Sequence, residues 1–588
     1  MKRYINPIYI FRGIKRISRV KHTLILVAIA FNFVLLLALG YLYFTEKGIW
    51  WLVSAIPQTP RRAIERVILS AKDLPYIKYK FKDHGLEEYR IVIKKDKLEE
   101  LKDNLPKSMR EFLREEHKDE KKALFYHNDK EYEVSVRFRG TGSGHWHWQK
   151  KSWRIEFDKP KYFQGMHVIN LIVPNERAYI TEYFNNYRAR KLGLTVPDDD
   201  FAILYVNGKK NGMYYQSEQW GADFIERQGL SPDTNFYSDS KTPQPADPFD
   251  MYSSFAEVPE TWKKYTQNPI EGTDQYSDLK RYFDVLESDD EYFYNHIWSI
   301  VDKENFYSWY MHSKLTSSIH QYSMTNLRMY FDKEIGKFKF IPVDVSAMDD
   351  GFEYFFIGYH PLVERLLQSN GFIEEIEHHL WEYVDNESNL EDDLRFFDET
   401  FEFTKPGFVQ DTFDEHTAKK IENNILRFRN IITRSTEFIE QSLKQASIYA
   451  VLSTDSKDPN NATLVISASS YAPIKLKNIE LSEEVHIDMS PSIGTIMYPS
   501  LVEVDSQEYE NTGNLGFIVR EIFEPELKEY EYKITGQGLD ILNVENVILE
   551  FENIITEDIY TINPLHVDES VFSDFDKITN SIDTAVDQ

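Results

Sequence analysis

The chain has 588 residues, 42% hydrophobic and 28% charged, so most of it can bury a core and a wholly disordered chain is excluded. It carries 68 Lys and Arg against 96 Asp and Glu, a net charge of −28, which argues against a general nucleic-acid binder with its basic face. Cysteine is absent, which excludes disulfide scaffolds, Cys-ligated zinc, iron–sulfur clusters and thiol nucleophiles.

Residues 24–44 form a run of 21 without a charge, broken in polarity only by Asn32. At about 1.5 Å per residue the run spans about 30 Å, the hydrocarbon thickness of a bilayer. Lys2, Arg3, Arg12, Lys15, Arg16, Arg19 and Lys21 precede it, with no acidic residue among them. The positive-inside rule then predicts a cytoplasmic segment at 1–22, a transmembrane helix at 23–45 and an exported body. Tyr41, Tyr43, Trp50 and Trp51 fit an aromatic belt at the far interface. A cleaved signal peptide is the competing reading, but its apolar region would be shorter and end in small residues. With those seven basic residues set aside, the exported part carries a net charge of −35.

Residues 46–80 read as a tether. Residues 90–93 alternate like a strand. Leu98, Leu101, Leu105, Met109 and Leu113 recur at spacings of three and four, which predicts helix over 95–116, split in two by Pro106. Strands are expected at 132–139, 153–157 and 168–173, and a helix at 179–192 ended by Gly193. Residues 201–216 read as a hairpin with Asn207-Gly208 in its turn. Residues 240–275, rich in Pro, Asp and Ser, read as an insertion. Helices are expected over 278–315 and again over 361–446, with a second hairpin at 329–341 between them. From 447 strands dominate, and residues 447–566 are expected to form an immunoglobulin-like β-sandwich before an acidic tail at 567–588. The fold class expected is therefore α+β.

Two constellations carry chemistry. The first is Arg139-Gly140-Thr141-Gly142-Ser143-Gly144, followed by Lys150-Lys151-Ser152-Trp153 on the next strand. Glycines let backbone N–H groups approach an anion, and a lysine on the neighbouring strand can reach the same anion. No Gly-Lys-Ser/Thr opens a helix here, so this is not a Walker A loop, and a plain glycine hairpin is the bland alternative. The second is Asn326 with Asp344 at the end of Ile341-Pro342-Val343-Asp344, an amide and a carboxylate suited to Mg²⁺.

In order along the chain, these residues resemble the CotH kinase-like family of spore-coat proteins. The matching motifs are Arg139-Gly140-Thr141-Gly142-Ser143, Lys150-Lys151-Ser152-Trp153, Val206-Asn207-Gly208 with Gly212 to Glu218, Val301-Asp302-Lys303-Glu304-Asn305-Phe306, and Asn326 with Asp344. The resemblance implies an atypical protein-kinase-like body at about 81–360, continued by the helices to 446, and phosphate transfer from ATP to Ser. It implies Lys151 as the phosphate-contacting and catalytic lysine, Asp344 as catalytic and metal-binding, and Asn326 as a second Mg²⁺ ligand. Arg139, Gly140, Ser143 and Glu182 join Lys151 around the nucleotide, with Glu182 as a candidate partner of Lys151.

The sequence departs from that pattern where the family commonly has an Asp, about five residues before the Asn. Gln321 stands there, and an amide can neither act as a carboxylate base nor neutralise Mg²⁺. Two readings follow: a degenerate kinase-fold subunit of an envelope or exopolysaccharide assembly, and an active Mg·ATP-dependent kinase of exported proteins or glycans. A glycoside-acting enzyme would need two carboxylates about 5–10 Å apart. His145 and His147 could share a metal, and Trp146, Trp148 and Trp153 could stack on a sugar or fill a core. The partners expected are the membrane and envelope proteins or polysaccharide machinery, with no nucleic acid.

Overall fold

The computed structural model describes residues 73–231, 234–238, 259–265, 275–316, 321, 326–345, 356–357, 360–411, 417–454, 458, 460–481, 486–504, 522–537, 539 and 546–566. The chain gathers into two compact units, one of residues 1–83, 408–410 and 414–422, the other of residues 84–407, 411–413 and 423–588. The apolar run at 24–44 lies outside the described residues. Among the described residues no helix is long and apolar enough to cross a membrane.

In the first unit a 3₁₀ turn, Leu74–Tyr76, leads into the short helix α1, Ile77–Lys80. Pro75 sits at the start of the turn, where its missing N–H costs nothing.

The second unit opens with a closed barrel. Its strands are β1 (Glu87–Val92), β2 (Lys121–His127), β3 (Lys130–Phe138), β4 (Trp153–Phe157), β5 (Val168–Ile172), β6 (Asp199–Val206) and β7 (Lys209–Glu218), ordered β1-β2-β3-β4-β5-β7-β6. Neighbours run antiparallel except at the seam, where β1 pairs β6 in parallel. Alternate residues point inward, so Ile91, Phe125, Val134, Val136, Ile155, Phe157, Ile169 and Leu204 fill the barrel and the intervening polar residues face out. Asn207 and Gly208 both take positive φ in the β6–β7 turn, as a tight hairpin requires. Asn207 also accepts from the Ile93 N–H at 2.8 Å and donates to its carbonyl at 2.9 Å, closing the barrel end.

Helix α2, Lys95–Asp103, stops short of Pro106, and the second helix expected beyond it does not form. Proline removes a donor and restricts the residue before it. Leu105 and Leu113 are still buried against the barrel, so their helical spacing reports burial and not helix. Strand β2 was not expected. Its lysines hide an alternation in which Ala123 and Phe125 face inward.

After β5 comes α3, Thr181–Lys191, and after β7 the short α4, Ala222–Arg227. Strands β8 (Asn235–Ser238), β9 (Lys263–Lys264), β10 (Arg328–Asp332) and β11 (Lys337–Ile341) form a second sheet, ordered β11-β10-β8-β9. It packs with α5 (Ser277–Leu286), α6 (Asp290–Ile300) and α7 (Lys303–Thr316) in the largest apolar core, which β12 (Phe356–Ile357) precedes in sequence before α8 (Pro361–Leu366) and α9 (Asn370–Val384) add their apolar faces. Helices α10 (Glu387–Gln410) and α11 (Ala418–Lys444) follow.

The C-terminal strands are β13 (Ala446–Thr454), β14 (Asn461–Ser470), β15 (Ile474–Glu480), β16 (His486–Ser490), β17 (Ile496–Met497), β18 (Ser500–Val504), β19 (Ile522–Glu526), β20 (Lys528–Gln537), β21 (Ile548–Asn553), β22 (Ile559–Ile562) and β23 (Leu565–His566). A five-stranded sheet, β16-β20-β14-β13-β23, and a four-stranded sheet, β17-β15-β21-β22, share one core through Leu464, Ile466, Ile534, Leu476, Leu549 and Phe551. That is a sandwich. The remaining strands form a small sheet, β12-β19-β18, in which β19 pairs with Phe356 and Ile357 of the body.

Candidate functional site

The β3–β4 connection fills itself. Gly140 has φ +94°, and a Cβ there would sit 2.1 Å from the His145 ring. The imidazole occupies the space a glycine-rich turn leaves open. Its Nδ1 lies 3.0 Å from Ser152 Oγ, which accepts from the Val173 N–H at 3.0 Å. Burial, with the Arg177 and Arg139 charges, holds the His145 pKa well below the ordinary value, so the ring is neutral. The Ser143 carbonyl accepts from the N–H groups of Trp146 and His147 in a 3₁₀ turn. Trp146 is buried and donates to the Thr141 carbonyl at 3.2 Å.

Lys151 closes this loop from outside. Its ammonium donates to the carbonyls of Trp146 and Trp148, both at 2.7 Å, and burial pulls its pKa down to about 8. Lys150 goes the other way. It is buried against the Asp411 carboxylate and over the Tyr214 ring, 4.8 Å from its centroid. Asp411 also accepts from the Met213 N–H at 2.9 Å, and a Cβ on Gly212 would collide with its carboxylate.

A partly buried ionic cluster lies at the end of β5. The chain leaves β5 through a 3₁₀ turn, Pro174–Arg177, and passes Ala178 and Tyr179, both at positive φ, before entering α3. Two successive left-handed residues without glycine are costly, and such strain collects at functional sites. From the opposite side, Asp302 caps α7 by accepting from the Asn305 N–H at 3.0 Å, and the Asn305 side chain holds both polar groups of the Phe340 backbone. That clamp fixes the end of β11 just before Ile341-Pro342-Val343-Asp344. Asp344 itself has φ +57°.

Arg177 joins the two sides. Its Nη1 bonds one oxygen of Asp344, and its Nε lies 2.8 Å from Glu182 on α3. The other Asp344 oxygen accepts from Asn326 Nδ2 at 3.2 Å. Burial opposes the Arg177 charge, yet Asp344 and Glu182 raise its pKa above the ordinary value. Burial pushes Glu182 up to about 7 against the pull of Arg177, and Asp344 adds to the rise. Glu176, raised by burial, packs against Gly144, whose Cβ would meet its carboxylate at 1.9 Å. Burial and the Arg177 charge pull Arg139 down to about 9, and its Nη1 is buried with no hydrogen-bond partner.

From Arg139 a polar stripe crosses the outer face of the barrel. Arg137 on β3 pairs with Arg154 on β4, which pairs with Asn170 on β5, which pairs with Ser217 on β7. The stripe runs to a cavity of about 220 Å³ lined by Arg154, Glu156, His167, Glu218, Trp220, Asp223 and Tyr265 among others. His167 Nδ1 lies 3.1 Å from Asp223 there. Burial pushes Glu218 up to about 7 against Arg227.

The structure thus brings Asp344, Asn326, Glu182 and Arg139 together, and it directs Lys151 elsewhere. The expected Lys151–Glu182 pair is replaced by Arg177–Glu182, because the lysine is consumed by carbonyls of its own loop. Gly140 and Ser143 serve the loop's internal packing. Gln321 is fully buried, and neither amide atom has a hydrogen-bond partner. Asp349 and Asp350, carboxylates close after Asp344 that could compensate for the acidic residues the family pattern lacks here, lie outside the described residues. His145 is buried and His147 exposed, so they do not form a metal pair, and of the three tryptophans Trp146 and Trp153 are core while Trp148 is exposed.

The Mg²⁺ ligands implied by the resemblance are engaged within the cluster. Arg177 holds one Asp344 oxygen and the Asn326 amide donates to the other. Among the described residues no three His, Asp or Glu side chains come together to hold a metal.

Sequence reading missed Arg177, Glu176 and Asp411. Arg177 had one available signal, a lone arginine between two glutamates after a buried strand. Asp411 had none, because its partners Lys150 and Gly212 are some 200 residues or more away in sequence.

Residues 136–392 match the family model described as CotH kinase protein. They form a CotH-like domain. Over 246 residues the chain is 24% identical to the inner spore coat protein H of Bacillus subtilis (strain 168), across 41% of this chain and 66% of that protein. The CotH-like domain thus takes in the barrel from the end of β3, the ionic cluster, the second sheet and the helices to the start of α10.

Proposed function

We propose that the CotH-like domain is a divergent, non-transferring kinase fold, held at an envelope membrane by residues 24–44, that serves as a binding subunit of an envelope or exopolysaccharide-related assembly. The observation that carries this reading is Arg177 on Asp344. A guanidinium in a partly buried ion pair supplies positive charge at the carboxylate where a metal would otherwise bring it. Gln321 supports the same reading, since a neutral amide cannot take a proton from an acceptor hydroxyl. The relative named for the inner spore coat belongs to a surface layer, and a role in a surface assembly is proposed here by that likeness.

One observation favours the second reading, an active kinase of exported proteins or glycans. The buried Nη1 of Arg139, a residue the resemblance assigns to the nucleotide, lacks a hydrogen-bond partner. Incubating the full chain in lipid nanodiscs with Mg²⁺ and γ-labelled ATP decides between them. The expected result is no label on the chain or on added acceptor proteins, with Asp344→Ala and Lys151→Ala indistinguishable from the parent. Mg²⁺-dependent transfer that disappears in Asp344→Ala would overturn the non-transferring reading.

A further inference from the structure

Residues 74–81 present two unlike faces. One face is tied down within its own compact unit. Asp73 accepts from the Ala418 N–H at 2.7 Å, the Tyr76 hydroxyl bonds Glu422, and Gln410 donates to the carbonyls of Tyr79 and Lys82 at 3.0 and 2.7 Å. The other face is apolar and open. Leu74 is 61% exposed, Ile77 49% and Phe81 84%. They stand at the start of the 3₁₀ turn, at the start of α1 and at its C-cap, three and four residues apart. A single exposed leucine would need no explanation, but three large apolar residues exposed on a pinned segment do.

The charge around this face is also unusual for the chain. Lys78, Lys80 and Lys82 lie in the same segment, with only Asp73 and Asp83 beside them, in a protein of net charge −28. A body so acidic is repelled by an anionic surface except where such a basic spot exists. Apolar residues backed by lysines are the pattern of a segment that lies in a lipid interface. The apolar run at 24–44 ends fewer than thirty residues before Asp73, so a bilayer holding that run is always within reach.

We infer that Leu74, Ile77 and Phe81 dock on the surface of an anionic lipid bilayer, with Lys78, Lys80 and Lys82 at the headgroups. This rests on the anchored reading proposed above and adds a second, peripheral contact. Docking restrains this segment against the bilayer, where a tether alone would leave it free.

The absence of cysteine allows clean labelling. Ile77→Cys, Phe81→Cys and, as a control on the sandwich, Ile493→Cys are made in the full chain and labelled with bimane. Each is reconstituted in vesicles of phosphatidylcholine and phosphatidylglycerol. The expected result is loss of emission at 77 and 81 to a lipid-borne doxyl quencher, with protection from aqueous iodide, and the reverse at 493. Iodide quenching at 77 and 81 equal to that at 493 would overturn docking, and so would protection from both quenchers, which signals a protein contact. Anchoring is read separately by alkaline carbonate extraction. A retained chain with iodide-open labels refutes docking alone. An extracted chain with lipid-quenched labels refutes anchoring alone.

Discussion

Two adjacent lysines that look alike in sequence have opposite physical roles. Lys150 is 3% exposed and faces an Asp411 that is 1% exposed, while Lys151 bonds only backbone carbonyls at the loop surface. Removing one member of a buried pair strands the other charge, which typically costs about 3–5 kcal/mol. Lys150→Ala is therefore expected to lower urea stability by that amount, and Lys151→Ala by about 1 kcal/mol, the worth of ordinary hydrogen bonds. An equal loss in both would show that Asp411 does not depend on Lys150. Glu182 gives a pH signature. Its folded pKa of about 7 lies above the unfolded value of 4.5, so its contribution is fully present below about pH 4.5 and is lost as pH rises through 7. A shift of that size is worth on the order of 3 kcal/mol. Glu218 titrates in the same window, so the parent should lose stability between about pH 4.5 and 7 and Glu182→Gln should flatten only part of that slope. A slope unchanged in Glu182→Gln would mean that the carboxyl stays ionised beside Arg177.

At the scale of elements, what the sequence disclosed was periodicity and turn chemistry. The β6–β7 hairpin was readable because Asn207-Gly208 meets a backbone demand that few other pairs satisfy, and β5 because Val168 to Ile172 is buried on both sides. Strand β2 was not readable, since four of its seven residues are Lys, Tyr or His and the inward pair Ala123 and Phe125 is a weak signal. The site divides along the same line. Asp344 and Asn326 stood out by motif and Glu182 by its place on the following helix, whereas Arg177 left little local trace beyond its place between two glutamates, because its partner Asp344 is 167 residues away. Helix α9 carries another residue without a local trace. Glu377 is fully buried on its apolar face, and neither carboxyl oxygen has a hydrogen-bond partner. Burial, with Glu374 nearby, raises its pKa well above the ordinary value, so the protein holds it protonated at a cost that grows with pH. Glu377→Met keeps the volume and removes that cost. The variant should be more stable by about 1–3 kcal/mol at pH 8, with a smaller gain at pH 5, in parallel denaturant titrations. A less stable variant at both pH values would show that the carboxyl has a partner worth more than its burial costs.

At the scale of the molecule, the sandwich has its own core and is still fastened to the body by a few specific contacts. Ala472 and Ile555 belong to the large helical core together with Leu443 and Ile376, not to the sandwich interior. Asn553, fully buried at the end of β21, donates to the Leu443 carbonyl at 2.7 Å and to the Tyr560 hydroxyl at 3.2 Å, while its oxygen accepts from the N–H groups of Ile555 and Thr556. Tyr560 in turn donates to the Lys444 carbonyl at 2.6 Å. These bonds join the last turn of α11 to the β21–β22 connection, so the helix end, which would otherwise leave carbonyls unsatisfied, is capped by the sandwich. Two bodies joined in this way unfold together only while the junction outweighs the difference in their separate stabilities. Asn553→Ala removes four hydrogen bonds and leaves the Leu443 carbonyl buried without its partner, a cost of about 2–4 kcal/mol concentrated at the junction. Calorimetry of the parent should show body and sandwich melting in one transition, and Asn553→Ala should split it, with the sandwich melting first. Asn563 offers the contrast, because its side chain donates to the Val547 carbonyl within the sandwich. Asn563→Ala should lower the sandwich's stability without separating the transitions. A split of equal size in both variants would place the coupling in general sandwich stability, and no split in either would mean that the apolar seam of Ala472, Ile555 and Leu443 binds the two parts by itself.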